Sequence, residues 1–331
     1  AISMTAILNT TQIQNATSTT PNITLDTAGN AQFGGMPYGG SSFLRNRIIN
    51  GAMDFAQRGT SFSSPVTGSY TVDRWYIYAA GTTVASVAQV AGPTGYRYAA
   101  QMTGTAGNTQ AALVQKIESY NCSDLSGQTI TIQANISVSS AQTVLWQLLY
   151  PSAQDNWSSV TLITSGTWSA TTTATTFTAT ITGLPSNATN GLSLNFFPQN
   201  GGAFTSGTIT ITGVQLERGT VATPFERRQY GHELALCQRY YQNYIYGASN
   251  SFAFGSYNSA GNYSTMPYSM PPMRVMPSLS IVGTWATSNI GTWGIGPSSN
   301  QQLIVFATAN TLGPLYLNNP ANGGFVLNAE L

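Results

Sequence analysis

Charge is what this chain has least of. Only 6% of its 331 residues are Asp, Glu, Lys or Arg, against roughly a quarter in an ordinary soluble domain. There is one lysine, Lys116, and one histidine, His232. The formal net charge is +1, and the arginine pairs Arg45/Arg47 and Arg227/Arg228 stand apart from one another. Phosphate binding needs clustered cations, so nucleic acid is excluded as a partner. Two cysteines, Cys122 and Cys237, make neither a disulfide framework nor a complete zinc site. No apolar run approaches the ~20 residues of a membrane span, so no membrane insertion is expected. Asn, Gln and Thr interrupt any apolar core of a signal peptide, and the first basic residue is Arg45, which points to synthesis in the cytoplasm.

Thr, Ser, Asn, Gln and Gly take the place of Lys and Glu. These residues disfavour helix interiors, whereas Thr with the many Val, Ile, Tyr and Phe favours strands. The chain therefore reads as mostly β. A surface of neutral polar groups has little charge repulsion to keep copies apart, which suits a permanent assembly.

The stretch from Ile209 to Tyr246 organises the rest. Ile209 and Ile211 alternate with Thr; after Gly213 the parity shifts so that Val214 and Leu216 alternate. A one-residue shift at Gly predicts a β-bulge. A turn-rich crossing follows, Gly219 to Pro224. Leu234, Cys237, Tyr241 and Tyr244 then recur at helical spacing before Gly247, which predicts a connecting helix over 229–247 with Cys237 as a buried thiol. Charge gathers here too, and Glu217, Glu226, Arg227 and Arg228 read as a structural seam. His232 lacks the orienting partner and nucleophile that a catalytic base needs.

Four segments are expected. Residues 1–40 form a thin leader whose Asn22 to Phe33 run reads as two short strands around an Asp26…Gly29-Asn30 turn; it is marginal alone and is expected to order against sister copies or another protein. Residues 41–228 carry short alternating strands. Ile130, Ile132, Ala134, Ile136 and Val138 make one face; Val144, Trp146, Leu148 and Tyr150 a second; Phe177, Ala179 and Ile181 a third; Leu192, Leu194 and Phe196 a fourth. That pattern predicts an antiparallel sandwich. After the 229–247 helix, residues 248–331 form a second β-region, poor in charge and punctuated by aromatics and prolines.

The run Arg47-Ile48-Ile49-Asn50-Gly51-Ala52-Met53-Asp54-Phe55-Ala56-Gln57-Arg58-Gly59, with Tyr70 to Trp75, resembles the opening of a domain found in bacteriophage tail fibre and related virion proteins. Gly213 to Gly219 with Ala222 to Arg228 resembles its closing strand, and Glu233 to Tyr241 and Pro272 to Pro277 follow in the same order. Thr20 to Asp26 and Gly29-Asn30 are similar to the segments that precede such domains. The resemblance implies a jelly-roll sandwich similar to carbohydrate-binding modules, in a homotrimeric virion component and without a reaction. It does not distinguish a tail fibre that attaches the particle to host surface polysaccharide from a capsid decoration protein that braces the head. Residues 1–40 would dock on a virion tail or capsid protein.

Asp73, Arg74 and Trp75 read as a satisfied polar corner, with Arg45, Arg47 and Arg58 as partners for Asp54, Glu217 or Glu226. A glycan-degrading tailspike would need two carboxylates roughly 5–10 Å apart, and the ten acids show no such partnering. No Asp-rich loop supplies the oxygens calcium takes, so no metal or cofactor is expected. Tyr257, Tyr263, Tyr268, Trp285 and Trp293 are the candidate glycan-binding residues, because sugar C–H faces stack on aromatic rings beside neutral amides and hydroxyls. A satellite core or an interface between copies is the alternative use of the same rings.

Overall fold

The computed structural model describes residues 44–246, 250–257, 263–311, 313–319 and 323–331, together with three short strands nearer the N-terminus. Those are β1 (Gln12–Ile13), β2 (Ile23–Leu25) and β3 (Ala31–Phe33), joined as one antiparallel sheet. Ile23 pairs with Phe33 and Leu25 with Ala31, the hairpin that the Asp…Gly-Asn turn predicts.

Eleven strands form the body: β4 (Ser61–Ser63), β5 (Tyr76–Gly81), β6 (Ser86–Ala91), β7 (Tyr98–Thr103), β8 (Asn108–Glu118), β9 (Ile130–Val138), β10 (Gln142–Ala153), β11 (Asn156–Ala170), β12 (Thr175–Ile181), β13 (Gly191–Phe197) and β14 (Thr208–Arg218). Five make one sheet in the order β11-β10-β13-β8-β5, and six make the other in the order β12-β9-β14-β7-β6-β4. Every pairing is antiparallel, and the chain crosses repeatedly between the sheets. This is a jelly-roll β-sandwich.

Its core follows the alternation in the sequence. Ile130, Ile132, Ala134, Ile136, Leu192, Leu194 and Phe196 are fully buried, with Val144, Trp146 and Leu148. Trp168 bridges the sheets, stacking on Phe177 at 5.6 Å and on Phe196 at 6.0 Å. Each such side chain contributes roughly 1.5–3 kcal/mol on leaving water. The bulge falls where parity shifts: Thr212 pairs with Asn135, but Gln215 pairs with Gln133. Gly213 sits there at φ +59°, a left-handed conformation that costs other residues.

The helix α1 spans only Tyr230–Gln238. The predicted remainder of it is strand β15 (Tyr241–Tyr246). Tyr-Gln-Asn-Tyr-Ile-Tyr is rich in strand-favouring Tyr and Ile, and pairing with β23 (Gly323–Asn328) supplies a ladder that an exposed helical turn lacks. Cys237 is buried, as the spacing predicts, but Tyr240 rather than Tyr241 completes that apolar face.

The remaining strands are β16 (Asn250–Tyr257), β17 (Tyr263–Ser269), β18 (Ser278–Val282), β19 (Ala286–Ser288), β20 (Ile290–Ser299), β21 (Gln302–Ala309) and β22 (Gly313–Asn319). They join β15 and β23 in three sheets, β15-β23-β18, β16-β22-β19 and β17-β21-β20. The end of the chain returns to the sandwich: Glu330 pairs with Arg74 and, at 3.0 Å, with Arg58.

Candidate functional site

Asp73, Arg74, Trp75 and Glu217 are buried, Glu226 is half-buried and Arg227 is exposed; of the expected pairings Arg45 with Glu217 forms, and other anchors take different partners. Asp73 accepts from the Gln57 backbone N–H at 2.9 Å and its side-chain amide at 2.6 Å. Burial pushes its carboxyl up, opposed first by that amide bond. Arg74 turns away from Asp73 to Glu330, donates to the Lys116 carbonyl at 2.7 Å and lies 3.5 Å from the Tyr240 ring centroid. Trp75 is fully buried and donates its indole N–H to the Asn50 carbonyl. Glu217 accepts from Thr223 and Gln215 and approaches Arg45 at 3.7 Å. Glu226 accepts from the backbone N–H groups of Leu44 and Asn46. Arg227 donates to the Gly95 carbonyl and lies over the Tyr96 and Phe225 rings. Arg47 pairs with Asp124 instead of the expected acids.

The five distal aromatics do not converge on one patch among the described residues. Trp285 and Trp293 pack on each other at 5.4 Å within a small core of β20, β21 and β22, and Trp285 is 9% exposed. Tyr268 belongs to a different cluster, edge-on to Tyr244 at 5.8 Å and to Phe325 at 6.3 Å. The side chains of Tyr257 and Tyr263 lie outside the described residues.

A groove lies elsewhere, on the outer face of the five-stranded sheet. It is lined by Tyr76, Tyr78, Lys116, Gln147, Trp157 and Asn195, among others. Pairing explains why they meet. Tyr76 pairs with Val114, Val114 with Asn195, and Asn195 with Gln147, so one row crosses four strands. In the next row toward Glu118, Lys116 pairs with Ser193 and Ser193 with Leu149. Successive residues on a strand alternate faces, so this set is out of phase with the buried Ile77, Leu113, Leu194, Phe196, Trp146 and Leu148.

The groove has an apolar floor and a mixed rim. Ala112, Val114 and Phe197 form the floor. Tyr78, 37% exposed, stands edge-on to Phe197 at 6.2 Å. Trp157 reaches in from the β10–β11 hairpin over Gly191, where a Cβ would meet its ring at 3.1 Å. Lys116 Nζ lies 4.9 Å from the Tyr76 ring centroid and 5.3 Å from that of Trp157. Burial, reinforced by Arg74, lowers the Lys116 ammonium to about 8. Burial pushes the Tyr76 hydroxyl up to about 12. Aromatic faces beside amides and an ammonium suit a hydroxylated ring, whose C–H face stacks while its hydroxyls hydrogen-bond. No motif marked these residues; their signal was the out-of-phase aromatics Tyr76, Tyr78 and Phe197 on otherwise core-forming strands.

Among the described residues no three His, Cys, Asp or Glu side chains gather into a metal site. No described helix is long and apolar enough to cross a membrane.

No family model matches the sequence, and no curated protein matches it. Solved structures do resemble it over about half its length. A CBM4 structure is 20% identical over 52% of this chain and 99% of its own, with TM-score 0.36. The enzymatically active domain of bacteriophage CBA120 tailspike protein 4 is 16% identical over 52% of this chain and 21% of its own, with TM-score 0.37. A TmCBM61 structure, in complex with beta-1,4-galactotriose, is 11% identical over 53% of this chain and 99% of its own, with TM-score 0.32.

Proposed function

We propose that this protein is a non-enzymatic, homotrimeric component of a bacteriophage particle that binds host surface glycans through the outer face of its five-stranded sheet. The observation that carries the reading is the groove itself: an apolar floor, aromatic rings and neutral amides brought into adjacent rows. The ordered motifs from the leader to Pro277 support the virion setting. A leader with its own three-stranded sheet suits docking on a tail or capsid partner and assembly of three copies. Three weak sites on one body would act through effective concentration.

All acids but Asp54 among the described residues are engaged, which supports binding over paired-carboxylate hydrolysis; Asp54 keeps a buried oxygen without a partner, and burial pushes its carboxyl up. Glu118, Asp124, Glu233 and Glu330 are paired with arginines. Asp155 is held by Ser119, and Glu217 and Glu226 by backbone and side-chain donors. A hydrolase needs two carboxylates free to exchange protons across a substrate.

The test is competition. Purified protein should block attachment of its parent phage to host cells, and antibody against the sandwich should label the tail. Label spread over the head, with no competition, would make it a decoration protein. The distal residues Tyr257, Tyr263, Tyr268, Trp285 and Trp293 remain the second candidate surface, and their substitution is the control arm.

A further inference from the structure

We infer that the protein carries a second carbohydrate site, a small pocket beside helix α1 that takes a single sugar residue whose hydroxyls donate to Asp54. The site goes beyond the groove and does not depend on it, for none of its lining residues lines the groove. Its walls come from the 46–55 segment, the start of β7, the 225–228 segment and α1. The cavity measures about 260 Å³, below the ~300–1,000 Å³ of pockets for drug-sized ligands. It has room for one ring and not for a chain.

Asp54 is the unmatched group in it. Asn50 fixes the backbone here: its Nδ2 donates to the Phe55 carbonyl at 2.8 Å, and its Oδ1 accepts from the Phe55 N–H at 3.0 Å. Met53 is held left-handed at φ +60°, a conformation that is costly for a residue other than glycine. The turn buries Met53 and Phe55 and leaves Asp54 half-buried in the pocket wall. Its Oδ1 is buried without a partner among the described residues, so the other oxygen, Oδ2, is the one a ligand meets. Arg227 and Arg97 ease the burial of its charge, yet among the described residues neither forms an ion pair with it. A half-buried carboxylate without a donor is costly, and the pocket is short of that donor.

The neighbouring charges decide what the donor is. Glu233 is paired with Arg228 at 3.1 Å, and Glu226 accepts from the Leu44 and Asn46 backbone. Arg227 gives one N–H to the Gly95 carbonyl and lies over the Tyr96 and Phe225 rings. Arg97 is exposed, 5.1 Å from the Tyr98 ring centroid. An ammonium ligand would add a third cation beside these two guanidinium groups, and a carboxylate ligand would meet Asp54. Adjacent hydroxyls on one ring suit both signs, because a hydroxyl donates to a carboxylate and accepts from a guanidinium. Phe55 and Tyr230, 4.9 Å apart, supply aromatic surface for the C–H face of the ring.

The experiment is saturation-transfer NMR on the full chain with methyl glycosides of the common hexoses, deoxyhexoses and N-acetylhexosamines, and with acetate and methylammonium as ionic probes. At least one glycoside should bind. Asp54→Asn keeps the shape and removes the charge-assisted bond, so it should weaken that glycoside roughly tenfold or more without lowering the melting temperature, since no protein partner is lost. Arg97→Gln and Tyr230→Ala, both at exposed positions, should each weaken it severalfold. Three results overturn the second site: no glycoside binding at millimolar concentration, binding by the ionic probes alone, or glycoside binding that survives Asp54→Asn. Loss of the glycoside in Tyr78→Ala with Trp157→Ala, but not in Asp54→Asn, places the sugar in the groove. That result also overturns the second site and leaves the groove's own reading standing.

Discussion

Glu330 is the residue whose removal should be felt furthest. It is one of two charged residues beyond position 247, yet it meets Arg74 and Arg58 across more than 250 positions of chain. The side chain of Arg74 is 1% exposed and that of Glu330 is 5% exposed. Around them, the Tyr70 hydroxyl and Lys116 both donate to the Leu331 carbonyl at 3.0 Å. Glu330→Ala would leave the Arg74 guanidinium buried beside only the Lys116 carbonyl and the Tyr240 ring. Breaking a buried pair from one side costs about 3–5 kcal/mol. For a body of this size that corresponds to a fall in melting temperature of roughly 6 to 20 °C. Thermal unfolding followed by tryptophan fluorescence reads it. The double change Arg74→Met with Glu330→Leu should recover the part of the loss that comes from stranding Arg74, while Arg58 keeps Asp73 at 3.8 Å. A Glu330→Ala protein within about 0.5 kcal/mol of the parent, the range of an ordinary surface change, would refute this account of how the chain end is held to the sandwich.

Gly213→Val should destabilise by about 2–5 kcal/mol, from the left-handed backbone and from crowding of the added Cβ against the Tyr96 ring and hydroxyl; unchanged denaturant unfolding would contradict it. Cys122 and Cys237 are buried and burial raises both thiols, so native protein should resist an aromatic disulfide reagent at pH 8 and react only in denaturant. Lys116 supplies a pH signature: its folded value of about 8 lies below the ordinary lysine value of 10.5, so the unfolded chain holds more protons between those values. Stability should therefore gain a contribution as pH rises from 8 toward 10.5, and Lys116→Met should remove that rise.

The sandwich was legible because its evidence is local. Alternation at Ile130–Val138 and at Leu192–Phe196 states which face is buried, and Gly213 marks the bulge by shifting parity. The Asn22–Phe33 turn likewise announces a hairpin through its own residues. Partners were not legible, since Arg74 could as well have met the adjacent Asp73 as Glu330; only the fold brings the chain end across. The Tyr241–Tyr246 stretch continues the helical spacing through Tyr241 and Tyr244 and shows no strand alternation, so only pairing with Gly323–Asn328, far along the chain, makes it a strand. The groove was missed for a related reason. Tyr76, Asn195 and Gln147 are dispersed in sequence and become one row only through strand order, while the dense aromatics beyond position 248 drew attention. Two of those, Trp285 and Trp293, pack on each other.

The most direct test of the central claim compares two double variants for binding to a bacterial surface polysaccharide that the parent protein retains. Tyr78→Ala with Trp157→Ala removes the aromatic walls of the groove; Trp285→Ala with Trp293→Ala removes the distal pair. The groove variant should lose at least about tenfold in affinity, as expected for two aromatic contacts, while the distal variant, once shown to be folded, binds like the parent. Undiminished binding by the groove variant, with loss in the distal one, would move the glycan site to the C-terminal sheets.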